Sequence, residues 1–470
     1  MVNRLSASDA AFFHLENTAT PMYVGSLSIL RKPRAGLSYE TLLETVEHRL
    51  PQIPRYRQKV REVTLGLARP VWVDDRDFDI TYHIRRSALP KPGSDEQLHE
   101  LVARLSSRPL DKTLPLWEMY FVEGLANGRI AVVGKIHHAL ADGVASANLL
   151  ARGMDLSDGP QRDDDSYATD PAPSSGELVR SAFADHMRQL GRLPATVRYT
   201  AQGFGRVRRS HRKLSPELTR PFTPPPSFMN HILDEKRLFA TATLALADVK
   251  ETSKKLGVTI NDLVLAMSSG ALRKLSLKYD GKADHPLLAS VPMSFDFSPD
   301  RISGNRFSGV LVALPVDIAD TAERVQRAHE AAALAKESHQ LIGPELIARW
   351  AAYMPPAPVE AAFKWLSNKD GQNKVLNLNI SNVPGPRERG KVGGATVTEI
   401  YSVGPITTGS GLNITVWSYV DQLNISVLSD DATVEDPHEV TDGMVEEFRE
   451  IRRVAGLSDK LTVVESAMPQ

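Results

Sequence analysis

Two adjacent histidines end an apolar run, and an aspartate stands four residues after the second: Ile136-His137-His138-Ala139-Leu140-Ala141-Asp142-Gly143. A neutral imidazole takes up a proton near pH 7, so a histidine held at a cleft can act as general base toward a hydroxyl. Residues 129–136 read as a strand that leads into the motif, and residues 144–152 as a helix that leaves it. Successive strand residues face opposite ways, so one imidazole meets a given cleft and the other is its structural partner. Asp142 stands where strand turns to helix, a place to cap free backbone N–H groups or to pair with an arginine. A metal site built from His137, His138 and Asp142 is set aside, because adjacent strand-end histidines diverge and no HxH or HExxH spacing supports them.

The elements that must position the histidines are a strand over 117–123 and the one over 129–136. They join around Asn127-Gly128, a dipeptide suited to a tight hairpin. Residues 1–153 alternate helical and strand patterns throughout. From Asp155 the composition shifts to acids interleaved with Gly, Pro and Ser, as in a flexible linker. A basic tract from Arg188 to Lys213 contains no acid and carries interleaved apolar residues; prolines at 221 and 224–226 then break any helix. A second mixed region begins at 237. It has helices expected over 260–278, 322–338 and 439–454 and strand-like stretches at 377–383, 411–420 and 422–428. The expected division is therefore 1–153, a linker over 154–236, and 237–470.

Composition removes several classes of function. A chain of 470 residues is too long for one ordinary core, so two mixed α and β domains are expected. A net charge of −1 argues against bulk nucleic-acid binding. The chain has no cysteine, which excludes disulfides, thiolate metal sites and a thiol nucleophile, and fits a reducing cytoplasm. No stretch approaches the roughly 20 apolar residues of a membrane span, and the N-terminus lacks the apolar core of a signal peptide. The segment 385–391 mimics a phosphate loop but places Val392 where Ser or Thr is required. No Gly-x-Ser-x-Gly elbow exists for a serine acyl-enzyme.

The HHxxxDG spacing resembles the signature of the CoA-dependent acyltransferase superfamily. Companion segments narrow the resemblance to the bacterial wax ester synthase/diacylglycerol acyltransferase family: Pro115-Leu116-Trp117, Asn261-Asp262 opening a helix, Gly304-Asn305-Arg306, and Ser381-Asn382-Val383-Pro384-Gly385-Pro386. The opening, Leu5 to Asp9 and Thr20 to Gly25, is also similar, so the resemblance covers nearly the whole chain. It implies two chloramphenicol-acetyltransferase-like domains with an active-site tunnel between them, His138 as general base, His137 beside it, and a structural Asp142 followed by Gly143. It further implies Pro115, Leu116, Trp117, Asn261, Asp262 and Asn305 as substrate-binding residues. Likeness to condensation domains suggests Arg57, in Pro54-Arg55-Tyr56-Arg57, as the partner of Asp142. Each has a plainer reading. Trp117 can be core, Asn261 and Asp262 can be helix caps, and Arg57 can be solvated. One departure is visible: Val291-Pro-Met-Ser-Phe-Asp296 ends in an acid where the family often has arginine, which questions a cation's role there.

The implied reaction moves a fatty acyl group from acyl-CoA, as substrate and with no cofactor, to diacylglycerol or a long-chain alcohol. The alternatives are transfer from a carrier-protein thioester, or a catalytically silent lipid-droplet or membrane-binding homologue. A water-insoluble product and no spanning helix together imply a cytoplasmic protein in peripheral contact with the membrane or lipid inclusions. The stretch from Arg188 to Lys213 is the candidate surface, with a solvated linker helix as its plainer reading.

Overall fold

The computed structural model describes residues 2–464 apart from 32–36, 64–67, 156–170, 211–223, 295, 297, 344–345, 352, 354–372 and 374. The acidic linker residues Asp158, Asp163, Asp164, Asp165 and Asp170 therefore lie outside the described residues, as do Arg212 and Lys213 of the basic tract.

The expected mixed α and β architecture is present, organised around two six-stranded sheets. The first runs β11 (Lys391–Val392), β12 (Ala395–Val403), β1 (Tyr23–Arg31), β6 (Arg129–His137), β5 (Trp117–Glu123), β4 (Ile84–Ala88). The second runs β7 (Arg237–Ala245), β14 (Gln422–Asp430), β13 (Leu412–Tyr419), β10 (Leu378–Pro384), β8 (Leu287–Ser294), β9 (Phe307–Leu314). A small pair joins β2 (Gln58–Arg61) to β3 (Val71–Asp74). The helices are α1 (Ala7–Leu15), α2 (Tyr39–Glu47), α3 (Ile80–His83), α4 (Asp95–Ser106), α5 (Gly143–Gly153), α6 (Ser175–Ser210), α7 (Leu246–Leu256), α8 (Ile260–Tyr279), α9 (Thr321–Ile342), α10 (Leu346–Ala351) and α11 (His438–Val454).

The hairpin expected at Asn127-Gly128 is there. Both residues take positive φ, 59° and 65°, as the tight turn between β5 and β6 requires. β6 lies inside the sheet, paired with β1 along its whole length and with β5 on the other edge. Tyr23 sits opposite His137, so the histidines leave a strand held on both sides. Lys135 of β6 is buried and donates to the carbonyls of Leu105 and Arg108 at the C-terminal end of α4, which satisfies acceptors the helix leaves free. Burial lowers its ammonium pKa to about 8.

The second half is built on α8 and α11. Val440, Met444, Phe448 and Ile451 repeat at helical spacing and are fully buried in one cluster with Leu263, Met267 and Ala271 of α8. The helices approach closely because Gly270 has no side chain. A Cβ there would lie 2.2 Å from the Glu447 carboxyl carbon. Glu447 is held in turn by Arg324, at 2.6 Å.

The two halves are not separate in the way the boundary at 237 implies. β11 and β12 come from the second half of the chain and complete the first sheet, β12 pairing antiparallel with β1. β14 then binds to β12 through side chains. Gln422 Nε2 donates to the carbonyl of Thr398 at 3.1 Å and Asn424 Nδ2 to that of Ile400 at 2.8 Å, while Ser426 Oγ donates to that of Ser402. The three donors alternate along one face of β14 and are buried, so a polar ladder joins the sheets.

Candidate active site

His137 and His138 sit in different environments, and their hydrogen bonds distinguish them. The backbone N–H of Ala139 donates to Nδ1 of His137 at 3.0 Å, so the proton of a neutral ring sits on Nε2. That nitrogen faces the Glu16 carboxylate at 3.5 Å. Burial pushes the Glu16 carboxyl up, but His137, Lys112 and the Met22 N–H outweigh it and hold the pKa below the usual value. His137 has no exposed surface and is part of the scaffold.

His138 keeps partial exposure. Its ring stacks on Phe12 of α1, with centroids 4.0 Å apart and planes 16° from parallel. Its Nδ1 lies 3.0 Å from Asn305 Oδ1, and the ring also interacts with the residue's own backbone. The amide orientation of Asn305 is fixed by two acceptors on its nitrogen: Asp9 Oδ1 at 2.7 Å and the His138 carbonyl at 2.6 Å. Its oxygen can then only accept, so Nδ1 of His138 is the donor and Nε2 carries the lone pair. Burial lowers the His138 pKa to about 4, against smaller opposing effects of its hydrogen bonds and the Asp142 charge. A neutral imidazole with a basic Nε2 is thus the form present at pH 7.

Asp9 anchors this arrangement. It caps α1 reciprocally with Ser6 and accepts from both the backbone N–H and the side chain of Asn305. Burial raises its carboxyl pKa, and the hydrogen bonds from Asn305 and Ser6 oppose that rise.

Asp142 is structural. Oδ1 caps α5 by accepting from Ala145 N at 2.9 Å. Oδ2 accepts from Arg301 Nη1 at 2.9 Å and from Arg306 N at 2.8 Å. The expected partner, Arg57, is corrected to Arg301. Arg57 lies on a turn over 54–57 with its guanidinium over Phe78, while Arg301 comes from the segment between β8 and β9. That segment docks on the motif backbone: Gly304 N donates to Leu140 O at 2.7 Å, and Asn148 of α5 donates to the Ser298 and Arg301 carbonyls. Gly143 starts α5 against β10, where an added Cβ would lie 3.1 Å from Val383. Asp296, the departure from the family pattern, lies 3.7 Å from both Arg301 and Arg306. The acid there balances two cations beside the motif.

The other expected residues fall in distinct places. Asn305 bonds the His138 ring and carbonyl and the Asp9 carboxylate. Leu116 and Trp117 are core: Trp117 stacks between Tyr56 and His83, and the Leu116 carbonyl accepts from His137 N. Pro115 precedes them at the entry to β5. Asp262 caps α8 with Thr259 and receives His329 at 2.8 Å, and Asn261 follows Ile260 in the same first turn. Both sit apart from the histidine network. Sequence reading missed Asp9, Phe12 and Arg301. The Ser6-x-x-Asp9 capping pattern was a visible sign of the first.

Two family models match this chain: the wax ester synthase/diacylglycerol acyltransferase catalytic domain over residues 5–264, and the C-terminal domain of the same family over 303–452. A Mycobacterium tuberculosis protein named as a diacylglycerol O-acyltransferase is 62% identical over 471 residues, covering 100% of both chains. A second protein of that organism so named, tgs3, is 54% identical over 53% of this chain and 95% of its own. The wax ester synthase/diacylglycerol acyltransferase of Marinobacter aquaeolei VT8 shares the fold, with a TM-score of 0.69 over 97% of this chain and 100% of that one at 24% identity. The condensation domain of the Monacolin K polyketide synthase MokA shares it at TM-score 0.61 and 11% identity, over 98% and 99% of the two chains. The chain belongs to the wax ester synthase/diacylglycerol acyltransferase family and is an acyltransferase.

Proposed function

We propose that this enzyme transfers a fatty acyl group from acyl-CoA to the hydroxyl of diacylglycerol or of a long-chain alcohol. Nε2 of His138 takes the hydroxyl proton as the oxygen attacks the thioester carbonyl. The C–S bond then breaks, CoA leaves as its thiolate and collects the proton, and the ester is complete. No covalent enzyme intermediate is required, and acyl-CoA enters as substrate with no cofactor. Asp142 and Gly143 keep the motif loop in place. His137, Leu116 and Trp117 keep the strand in register, and Asn261 and Asp262 open the helix that supports the second half.

The observation that carries this reading is the fixed tautomer of His138. A half-buried asparagine, itself bonded to buried Asp9, puts the proton on Nδ1 and leaves a neutral, basic Nε2 at the junction of the two halves. A catalytically silent homologue has no need of that arrangement. We also propose that the protein works in peripheral contact with a lipid surface, because its acceptor and product partition into lipid. No helix among the described residues is long and apolar enough to cross a membrane.

The test is acyl transfer from radiolabelled acyl-CoA to diacylglycerol, a fatty alcohol and a short soluble alcohol. His138→Ala should lower turnover by about 10²–10⁴-fold, the usual range for a general base. His137→Ala should act mainly through stability. Wild-type turnover in folded His138→Ala would remove the histidine from the mechanism. Transfer only from a carrier-protein thioester would reassign the donor.

A further inference from the structure

Helix α6 carries a face that the acyl-transfer site does not use. Val179, Phe183, Met187, Leu190 and Val197 fall within roughly 80° of arc at about 3.6 residues per turn. All five are exposed, Phe183 at 70% and Leu190 at 59%. The adjoining arc of α6 buries Leu178, Ala182 and Thr196 against the body of the protein. The helix is therefore apolar toward the protein and apolar again on its outer side. Its outer stripe is about 27 Å long at roughly 1.5 Å per residue.

Single exposed apolar side chains are ordinary on a protein surface. A continuous row of large ones on one helix marks contact with another apolar phase. The neighbouring charges select which phase. α6 contains seven arginines and two acids, Glu177 and Asp185. Asp185 is taken by Arg4 and Arg188. Arg180, Arg192 and Arg198 are exposed, and Arg180 and Arg198 border the stripe at helical spacing. An apolar row edged by arginines matches the boundary between acyl chains and anionic headgroups, where guanidinium groups reach phosphate while the row is submerged. A second copy of the helix would set arginine rows against each other, so self-association is disfavoured.

We propose that α6 docks the enzyme on an anionic lipid surface, inserting Phe183, Met187 and Leu190 below the headgroups. The docking face begins upstream of the basic tract that sequence alone singles out. The proposal rests on the acyl-transfer reading for its purpose, which is to bring the site to an acceptor dissolved in lipid.

Sedimentation of the full chain with vesicles tests it, using phosphatidylglycerol–phosphatidylcholine mixtures and pure phosphatidylcholine. Wild type should sediment with the anionic vesicles, and less so as salt rises. The variant Phe183→Gln, Met187→Gln, Leu190→Gln should partition at least tenfold more weakly. The variant Arg180→Gln, Arg192→Gln, Arg198→Gln should lose the preference for anionic lipid. Both should keep wild-type thermal stability and wild-type turnover on a short soluble alcohol, and lose turnover on vesicle-borne diacylglycerol. The proposal is overturned if wild type binds neither vesicle, if the apolar variant binds like wild type, or if light scattering shows that variant splitting a dimer. Docking by wild type with no acyl transfer to any alcohol would instead remove the acyl-transfer reading and leave the lipid surface standing.

Discussion

His137 and His138 are chemically identical and one residue apart, yet one is fully buried in the scaffold and the other, the proposed base, keeps partial exposure. Strand alternation separates them, and their hydrogen-bond partners finish the distinction by placing the proton on opposite nitrogens. The pKa of His138 has a consequence for rate. Lowered to about 4 by burial, the ring stays neutral as pH falls through 6.5 and protonates only near 4. The acid limb of kcat/KM on a soluble alcohol should therefore lie well below pH 6, and a limb at 6.5 or above would contradict the burial argument. Asn305→Ala should cost about 10²-fold in kcat with KM little changed, since it frees the ring's orientation without touching substrate. The histidine motif itself was legible in the sequence, because its residues are contiguous. Its support was not. Asn305 was visible as a motif residue, but its bond to Asp9 spans 296 residues, which no local pattern encodes.

At the scale of elements, the motif is a strand end and a helix start clamped by a loop from the other half of the chain. β5, β6 and α5 could be read in advance from alternation, a turn dipeptide and a capping aspartate. The docking of the loop over 298–306 could not, because the loop has no periodicity and its bonds to Asp9, His138, Leu140 and Asp142 join residues far apart in sequence. Arg301 is its main fastening, with side-chain exposure of 8% against 3% for Asp142. Breaking such a buried pair by removing one partner typically costs about 3–5 kcal/mol. Arg301→Met should lower stability by an amount near that range in denaturant titration. Arg57→Met should have little effect on the same ion pair, and equal losses from the two variants would return Arg57 to consideration.

At the scale of the whole molecule, β12 and the Gln422–Asn424–Ser426 ladder change what a domain means here. Two halves with separate cores would ordinarily unfold in separate steps. Here one sheet needs a strand from the far end of the chain, and its carbonyls are bound by the other sheet. Calorimetry should show one cooperative transition, and two resolved transitions would mean the exchange contributes little to cohesion. The mixed character of both halves was legible in the sequence, but the exchange was not, because no local pattern tells residues 395–403 which sheet to join. The contacts around His138 add a consequence in time. Asp9 and both histidines leave the ribosome early, whereas Asn305 and Arg301 follow more than 150 residues behind the motif. A growing chain thus carries His138 long before Asn305 can orient its ring. The ring can take the orientation seen in the folded protein only after residues 301–305 have been made.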